Sequence, residues 1–502
     1  MNRITSLGGA LGGERGRASL LAGARPALVR IREGLGVGER GALLVAFAAL
    51  GVVAVGVAVS TRLDLLLEAT GVAAALVAVL LSLRWPLLPL FAFALLIPIE
   101  EVVVLGGLGT LSRYAEIIFI VAYGIPRLGR LTVRAMPLPA WGYVAWAILS
   151  VGWALNPNPT LTEIPILVLL FATAVAVAAL VTERPAIVRP LLWSYSLSAA
   201  AIAAVGLYLF LAAGVIPGPN DRAAALQDQN PAYYAAILLP AFVFSLYELI
   251  NGRWVAISCA VAVMSAGAIA ASGTRGAWVA IIVVVVLFIL PRLEPVRRMA
   301  AIAIIATLGI VAIQIPGLAT LIAQRVDIAV SSGGAGRTDI WTVGLNIYSS
   351  APLTGVGLAN FPVAYTPELV RQSDVGIYSA NNPANRAPHN IVIGTLGELG
   401  PVGLFLLASF LGPLVLRPGW GPDAAVVQAA LASLVTTALF LDVLNRKQVW
   451  LLAGLACGLA YLARSARLQN NARPFGRRLI RSPSAAITTS MAIGGPGRPD
   501  RS

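Results

Sequence analysis

The chain runs to 502 residues, 58% of them hydrophobic and only 12% charged, against about 25% charged in an ordinary globular domain. With a mean hydropathy of +0.84, this excludes a soluble domain, a disordered chain and a nucleic-acid binder, and makes a bilayer the solvent for most of the length. The net charge of +14 sits mainly in two tails, with +4 in residues 1–40 and +7 in residues 464–502.

Basic tails flanking an apolar body mark the cytoplasmic side, where they can also meet anionic headgroups. The first 40 residues lack a compact apolar core followed by a cleavage site, so no cleavable signal is expected. A spanning helix needs about 20 mostly apolar residues. Runs near 41–60, 69–85, 87–105, 112–126, 138–155, 164–182, 188–213, 231–250, 254–271, 276–291, 299–315, 390–415, 424–443 and 448–463 give fourteen candidates. Pro86, Pro89, Pro98 and Pro126 crowd the early runs, which makes some of them kinked or re-entrant. The fold class expected is an all-α polytopic membrane bundle of about 12–14 transmembrane helices with one long extracytoplasmic loop.

Loop charge orients the bundle. With both termini inside, Arg84, Arg127, Arg130, Arg134, Arg184, Arg189, Arg253, Arg292, Arg297, Arg298 and Arg417 all fall on the inner side, and the outer connection 156–163 has no Arg or Lys. Arg446–Lys447 is the exception. The domain plan is then a tail at 1–40, helices over 41–315, an extracytoplasmic loop at 316–389, helices over 390–463 and a tail at 464–502. Within the loop, Ile340, Trp341, Gly344, Ile347 and Tyr348 recur at helical spacing, as in a short amphipathic helix lying at the membrane interface. Pro352 would end it. Cys259 and Cys457 both lie in apolar runs and make no disulfide scaffold.

The outer side collects polar residues. Arg222 lies in Asn220-Asp221-Arg222, and Arg275 lies in the turn Ser272-Gly273-Thr274-Arg275-Gly276. An Arg at a helix N-terminus opposes the dipole unless an anion binds both, and Ser272, Thr274 and backbone N–H groups would suit a phosphate. The same Arg would serve equally as a snorkelling anchor. Arg337 follows a second Gly-rich turn, 331–336, and Arg222 and Arg337 would also make ordinary surface pairs. His389, the single histidine of the chain, sits in Pro388-His389-Asn390 where the loop re-enters the membrane. A helix-entrance environment favours a neutral imidazole, the form a general base needs, although a lone histidine there also works as a cap or anchor. Glu398 lies about 13 Å further down the helix on a stripe of Gly394, Gly397, Gly400 and Gly403 that permits close packing or a break. It is a candidate for function by its depth, or a buried carboxylate holding helices together. Asp442, Arg446 and Lys447 would pair locally. No Walker motif, HExxH or Cys/His cluster is present, so neither a metal nor another cofactor is called for, and arginines would have to neutralise a diphosphate.

Four stretches in order resemble the O-antigen ligase and polymerase superfamily of bacterial membrane glycosyltransferases. These are Ser272-Gly273-Thr274-Arg275-Gly276-Ala277-Trp278, residues 336–341 from Gly336-Arg337 to Trp341, residues 352–361 from Pro352 to Phe361, and Pro388-His389-Asn390 with Gly400 and Gly403 downstream. The resemblance runs roughly from Asn220 to Trp450. It implies an inner-membrane transferase working on the extracytoplasmic face, moving a glycan from undecaprenyl diphosphate to an acceptor hydroxyl on a glycan or lipid, with inversion and without a metal. By motif position His389 resembles the base, and Arg275, Arg337 and Arg222 resemble diphosphate-site arginines, with Ser272, Thr274, Asn390 and Glu398 in support. A polymerase, whose acceptor is another lipid-linked repeat, shares this chemistry. A non-catalytic polysaccharide exporter or flippase would instead spread charges along a path through several helices.

Overall fold

The computed structural model describes residues 84–101, 109–127, 132–212, 222–224, 229–296, 336–373, 386–417 and 421–477, with a few isolated positions between. The tail at 1–40, the runs at 41–60 and 299–315, nearly all of 69–85, and the end of the C-terminal tail lie outside the described residues. The chain divides into two compact units, residues 1–461 and 462–502. The second is described only as the continuation of the last helix to Arg477.

Every extended element among the described residues is a helix. In chain order these are α1 (Leu88–Leu96), α2 (Leu111–Phe119), α3 (Leu138–Leu149), α4 (Pro157–Glu183), α5 (Val188–Ala212), α6 (Pro231–Ile250), α7 (Val255–Ala271), α8 (Arg275–Val284), α9 (Arg337–Ser350), α10 (Phe361–Ala364), α11 (Pro367–Gln372), α12 (Ile391–Leu416), α13 (Pro422–Ala438) and α14 (Lys447–Arg477). Six are long and apolar enough to cross a membrane once the turns at their ends are included: Pro157–Glu183, Pro185–Ala212, Pro231–Ile250, Arg275–Arg292, Ile391–Leu416 and Lys447–Gln469. Leu138–Gly152 and Val255–Ala271 are shorter apolar helices. The protein is therefore a polytopic helical membrane protein. Within the described part of the run at 87–105, residues 87–101, the helix is the nine-residue α1, about 13 Å of rise, with Pro89 and Pro98 at its two ends. α2 tightens and widens through a π segment, Ile120–Gly124, before ending at Pro126.

Local sequence explains the helix starts. Asn156, Asn230 and Asn390 each cap the following helix with a side-chain oxygen, and Pro157 and Pro231 occupy the first helical position. Packing then comes from small residues. α14 lies against α4 so closely that a Cβ on Gly454 would stand 2.7 Å from the Ala174 carbonyl oxygen, and one on Gly458 2.7 Å from that of Ala178. Without a hydrophobic force between helices in lipid, such backbone approach supplies the attraction. Trp450 is buried between Phe171 and Phe410 beside this seam. Gly458→Leu is expected to destabilise the protein by at least about 1–3 kcal/mol, measured as a lowered Tm in detergent, because a backbone carbonyl cannot move aside as a side chain can.

At one end of the bundle Arg189 joins α5, α6 and α13 through Glu248 at 2.9 Å and Asp423 at 2.5 Å. At the other end Lys447, 7% exposed, donates to Glu100, Ser112 and Thr110, while Arg446 meets Glu101 at 3.4 Å and covers the Tyr233 ring. These two cations thus reach to the segment around α1, and the local pairing with Asp442 expected from sequence gives way to contacts some 345 residues apart.

Candidate active site

The site lies where α12 begins. Asn390 caps that helix: its side-chain oxygen accepts from the N–H groups of Val392 at 2.8 Å and Ile393 at 3.1 Å. Its Nδ2 donates to the Leu439 carbonyl at 3.1 Å, which ties the helix start to the connection between α13 and α14. His389 therefore stands one residue before the cap, with a left-handed φ of +48°. That backbone conformation is rare for a side chain without a local reason. The reason here is Asp442, whose Oδ2 accepts the His389 N–H at 3.2 Å and lies 3.6 Å from Nδ1.

Burial lowers the His389 imidazole below its usual range; Asp442 opposes this and the charges of Arg337 and Arg386 add to it. Burial raises the Asp442 carboxyl, against the pull of His389 and Arg337. The neutral imidazole is thereby favoured, and its Nδ1 has no hydrogen-bond partner among the described residues. A histidine with its ring 31% exposed and Asp442 beside Nδ1 can present Nε2 as the free acceptor.

Arg337 opens α9 after Gly336, which takes the left-handed conformation with φ of +74°. α9 and α12 run side by side in the same direction. A Cβ on Gly344 would touch Ile393 Cγ2, and one on Gly397 would meet Ile347. Two turns back from Gly344, this register brings Arg337 level with Arg386–His389. Burial lowers the Arg337 guanidinium, the charge of Arg275 lowers it further, and Asp442 acts in the opposite direction. Arg337 nonetheless stays charged. Arg337 and Arg386 thus act by charge on His389, Asp442 on both His389 and Arg337, and Arg275 on Arg337.

The other sequence candidates build the turn behind Arg275. Ser272 and Thr274 are buried, and their hydroxyls lie 2.9 Å apart, with Ser272 Oγ 2.7 Å from the Ile269 carbonyl and Thr274 Oγ1 3.2 Å from that of Pro231. Arg222 donates through Nε to the Ser272 carbonyl at 2.6 Å and through Nη2 to Thr274 Oγ1 at 2.9 Å. These three residues fix the loop from which Arg275 enters α8 at its first position. Glu398 feels the Asp442 charge, but its hydrogen bonding is directed elsewhere: its Oε1 accepts the Phe361 N–H at 3.1 Å.

The expected amphipathic helix is present as α9, but its buried face of Ile340, Val343, Gly344 and Ile347 is used within the protein. With Val356, Phe361, Tyr365 and Val370 it forms a small core that rests on α12, so this face is not available to lipid. The sequence reading passed over Arg386 and gave Asp442 only a local pairing with Arg446 and Lys447. Arg386 stands three residues before the histidine, a signal in the sequence, whereas Asp442 reaches His389 from 53 residues away. Among the described residues no three His, Cys, Asp or Glu side chains gather as a metal group.

Residues 260–408 match the family model described as O-antigen ligase. The matched stretch contains Arg275, Arg337, Arg386, His389 and Glu398, whereas Arg222 and Asp442 lie outside it. No curated protein matches the chain.

Proposed function

We propose, from the match of residues 260–408 to the O-antigen ligase family model, that the protein transfers a glycan from a polyprenyl diphosphate, undecaprenyl diphosphate in particular, to an acceptor hydroxyl. The observation that carries this reading is the contact of His389 with Asp442, with the charges of Arg337 and Arg386 acting on the histidine and that of Arg275 on Arg337. Guanidinium groups match diphosphate oxygens in geometry and charge. The multi-pass bundle supports a bacterial membrane enzyme, with the loop charges favouring cytoplasmic termini and a site on the extracytoplasmic face.

In the reaction His389 Nε2 takes the acceptor hydroxyl proton as its oxygen attacks the anomeric carbon opposite the diphosphate. The new glycosidic bond forms, the bond to the diphosphate oxygen breaks, and the electron pair leaves with the polyprenyl diphosphate. Arg275 and Arg337 stabilise the charge that develops there. Asp442 stabilises the imidazolium through Nδ1–H. Inversion at the anomeric carbon follows from the single displacement, and Arg222, Ser272, Thr274 and Asn390 keep the reacting groups in place.

Purified protein in detergent, given a polyprenyl-diphosphate glycan and candidate acceptors, is expected to release free polyprenyl diphosphate and form a larger glycoconjugate. A polymerase lengthens the lipid-linked glycan itself, and an exporter does neither. Absence of both products with every acceptor would overturn the reading. Asp442→Asn is expected to shift the rising limb of the rate–pH profile to lower pH, since the Asp442 charge is what raises the His389 pKa. The limb rises with pH because the base must be unprotonated, and kcat should fall as Nδ1–H loses its charged partner.

A further inference from the structure

α12 is broken inside the protein. Gly400 has φ of +67° and is followed by Pro401. The Gly397 carbonyl would normally accept from residue 401, which has no N–H, and the turn at Gly400 deprives the next two carbonyls of their helical partners. Other groups serve them. Val356 N–H donates to the Gly397 carbonyl at 2.9 Å, Gly357 N–H to that of Glu398 at 2.8 Å, and Trp146 Nε1 to that of Leu399 at 2.8 Å. The approach is close enough that a Cβ on Gly355 would stand 2.4 Å from the Glu398 carbonyl oxygen.

The Glu398 side chain turns to the same segment. Its carboxylate accepts from the Phe361 N–H and from that of Ala359. Phe361 is fully buried and fills the space over Gly344 of α9 and Gly397 of α12. A route of direct contacts thus runs from Glu398 through Phe361 to α9, whose first residue is Arg337.

We infer that Glu398 is a positioning residue: by holding segment 352–361 in the break of α12, it sets where α9 places Arg337 relative to His389. This rests on the donor-binding role proposed for Arg337. An intramembrane carboxylate is here employed in loop docking rather than in proton transfer.

Glu398→Ala should raise KM for the polyprenyl-diphosphate donor by about 10- to 100-fold, the scale of a misplaced binding group, with kcat changed less and the pH profile unmoved. Glu398→Gln keeps an accepting oxygen and should recover most of the loss. Gly355→Val, which pushes the segment out from the opposite side, should reproduce the KM effect with the carboxylate intact. Amide hydrogen exchange at Ala359 and Phe361 should quicken in Glu398→Ala and Gly355→Val and stay slow in Glu398→Gln. The exchange result is read without any transfer assay, so a wild-type protein that transfers nothing overturns the enzymatic reading and leaves the docking test standing. Unchanged exchange in Glu398→Ala, or a Glu398→Gln variant as inactive as Glu398→Ala with a displaced pH profile, would overturn the positioning role.

Discussion

His389→Ala is expected to lower transfer by about 10²–10⁴-fold with the protein still folded. Among the described groups beside the three arginines, His389 is the neutral base and Asp442 is occupied in holding it. Alanine tolerates the left-handed backbone at this position poorly, so His389→Asn is the better companion. Asparagine adopts that conformation more readily and keeps a polar group, yet supplies no base of useful strength. Both variants should hold Tm within a few degrees of wild type and lose transfer alike. Wild-type activity in either would remove His389 from the chemistry.

Arg337→Ala is expected to reduce kcat/KM for the donor by about 10–100-fold, the worth of a charge-assisted hydrogen bond. Burial and the neighbouring Arg275 both work against the Arg337 charge, an arrangement that gains most from an anion arriving between the two. Arg337→Lys should restore little, because a single ammonium cannot match two phosphate oxygens at once. The measurement is steady-state transfer across donor concentrations for Arg275→Ala, Arg337→Ala and the double variant. If the two sites share one diphosphate, the double variant departs from additivity; strict additivity would place them on separate ligands.

Much of the architecture was open to a reading of the chain because a bilayer imposes long apolar runs. The runs at 164–182, 231–250 and 390–415 appear as α4, α6 and α12, with α4 beginning earlier, at Pro157. Span counting met its limit at α1, where the helix between Pro89 and Pro98 has nine residues. In the site, composition made His389 visible, and Gly-rich turns made Arg275 and Arg337 visible. Asp442 was not, because its contact with His389 closes a gap of 53 residues that no local pattern records. The glycine stripe on α12 announced either close packing or a break, and the choice is made by partners distant in sequence: Val356, Gly357 and Trp146.

The only lysine in the sequence is Lys447, and its ammonium is turned inward toward Glu100, Thr110 and Ser112. The folded chain consequently offers acylating reagents no accessible side-chain amine, while the opened chain offers a single one. Modification at that residue would count molecules in which this end of the bundle has come apart, giving a chemical clock for local opening in native membranes without an introduced label.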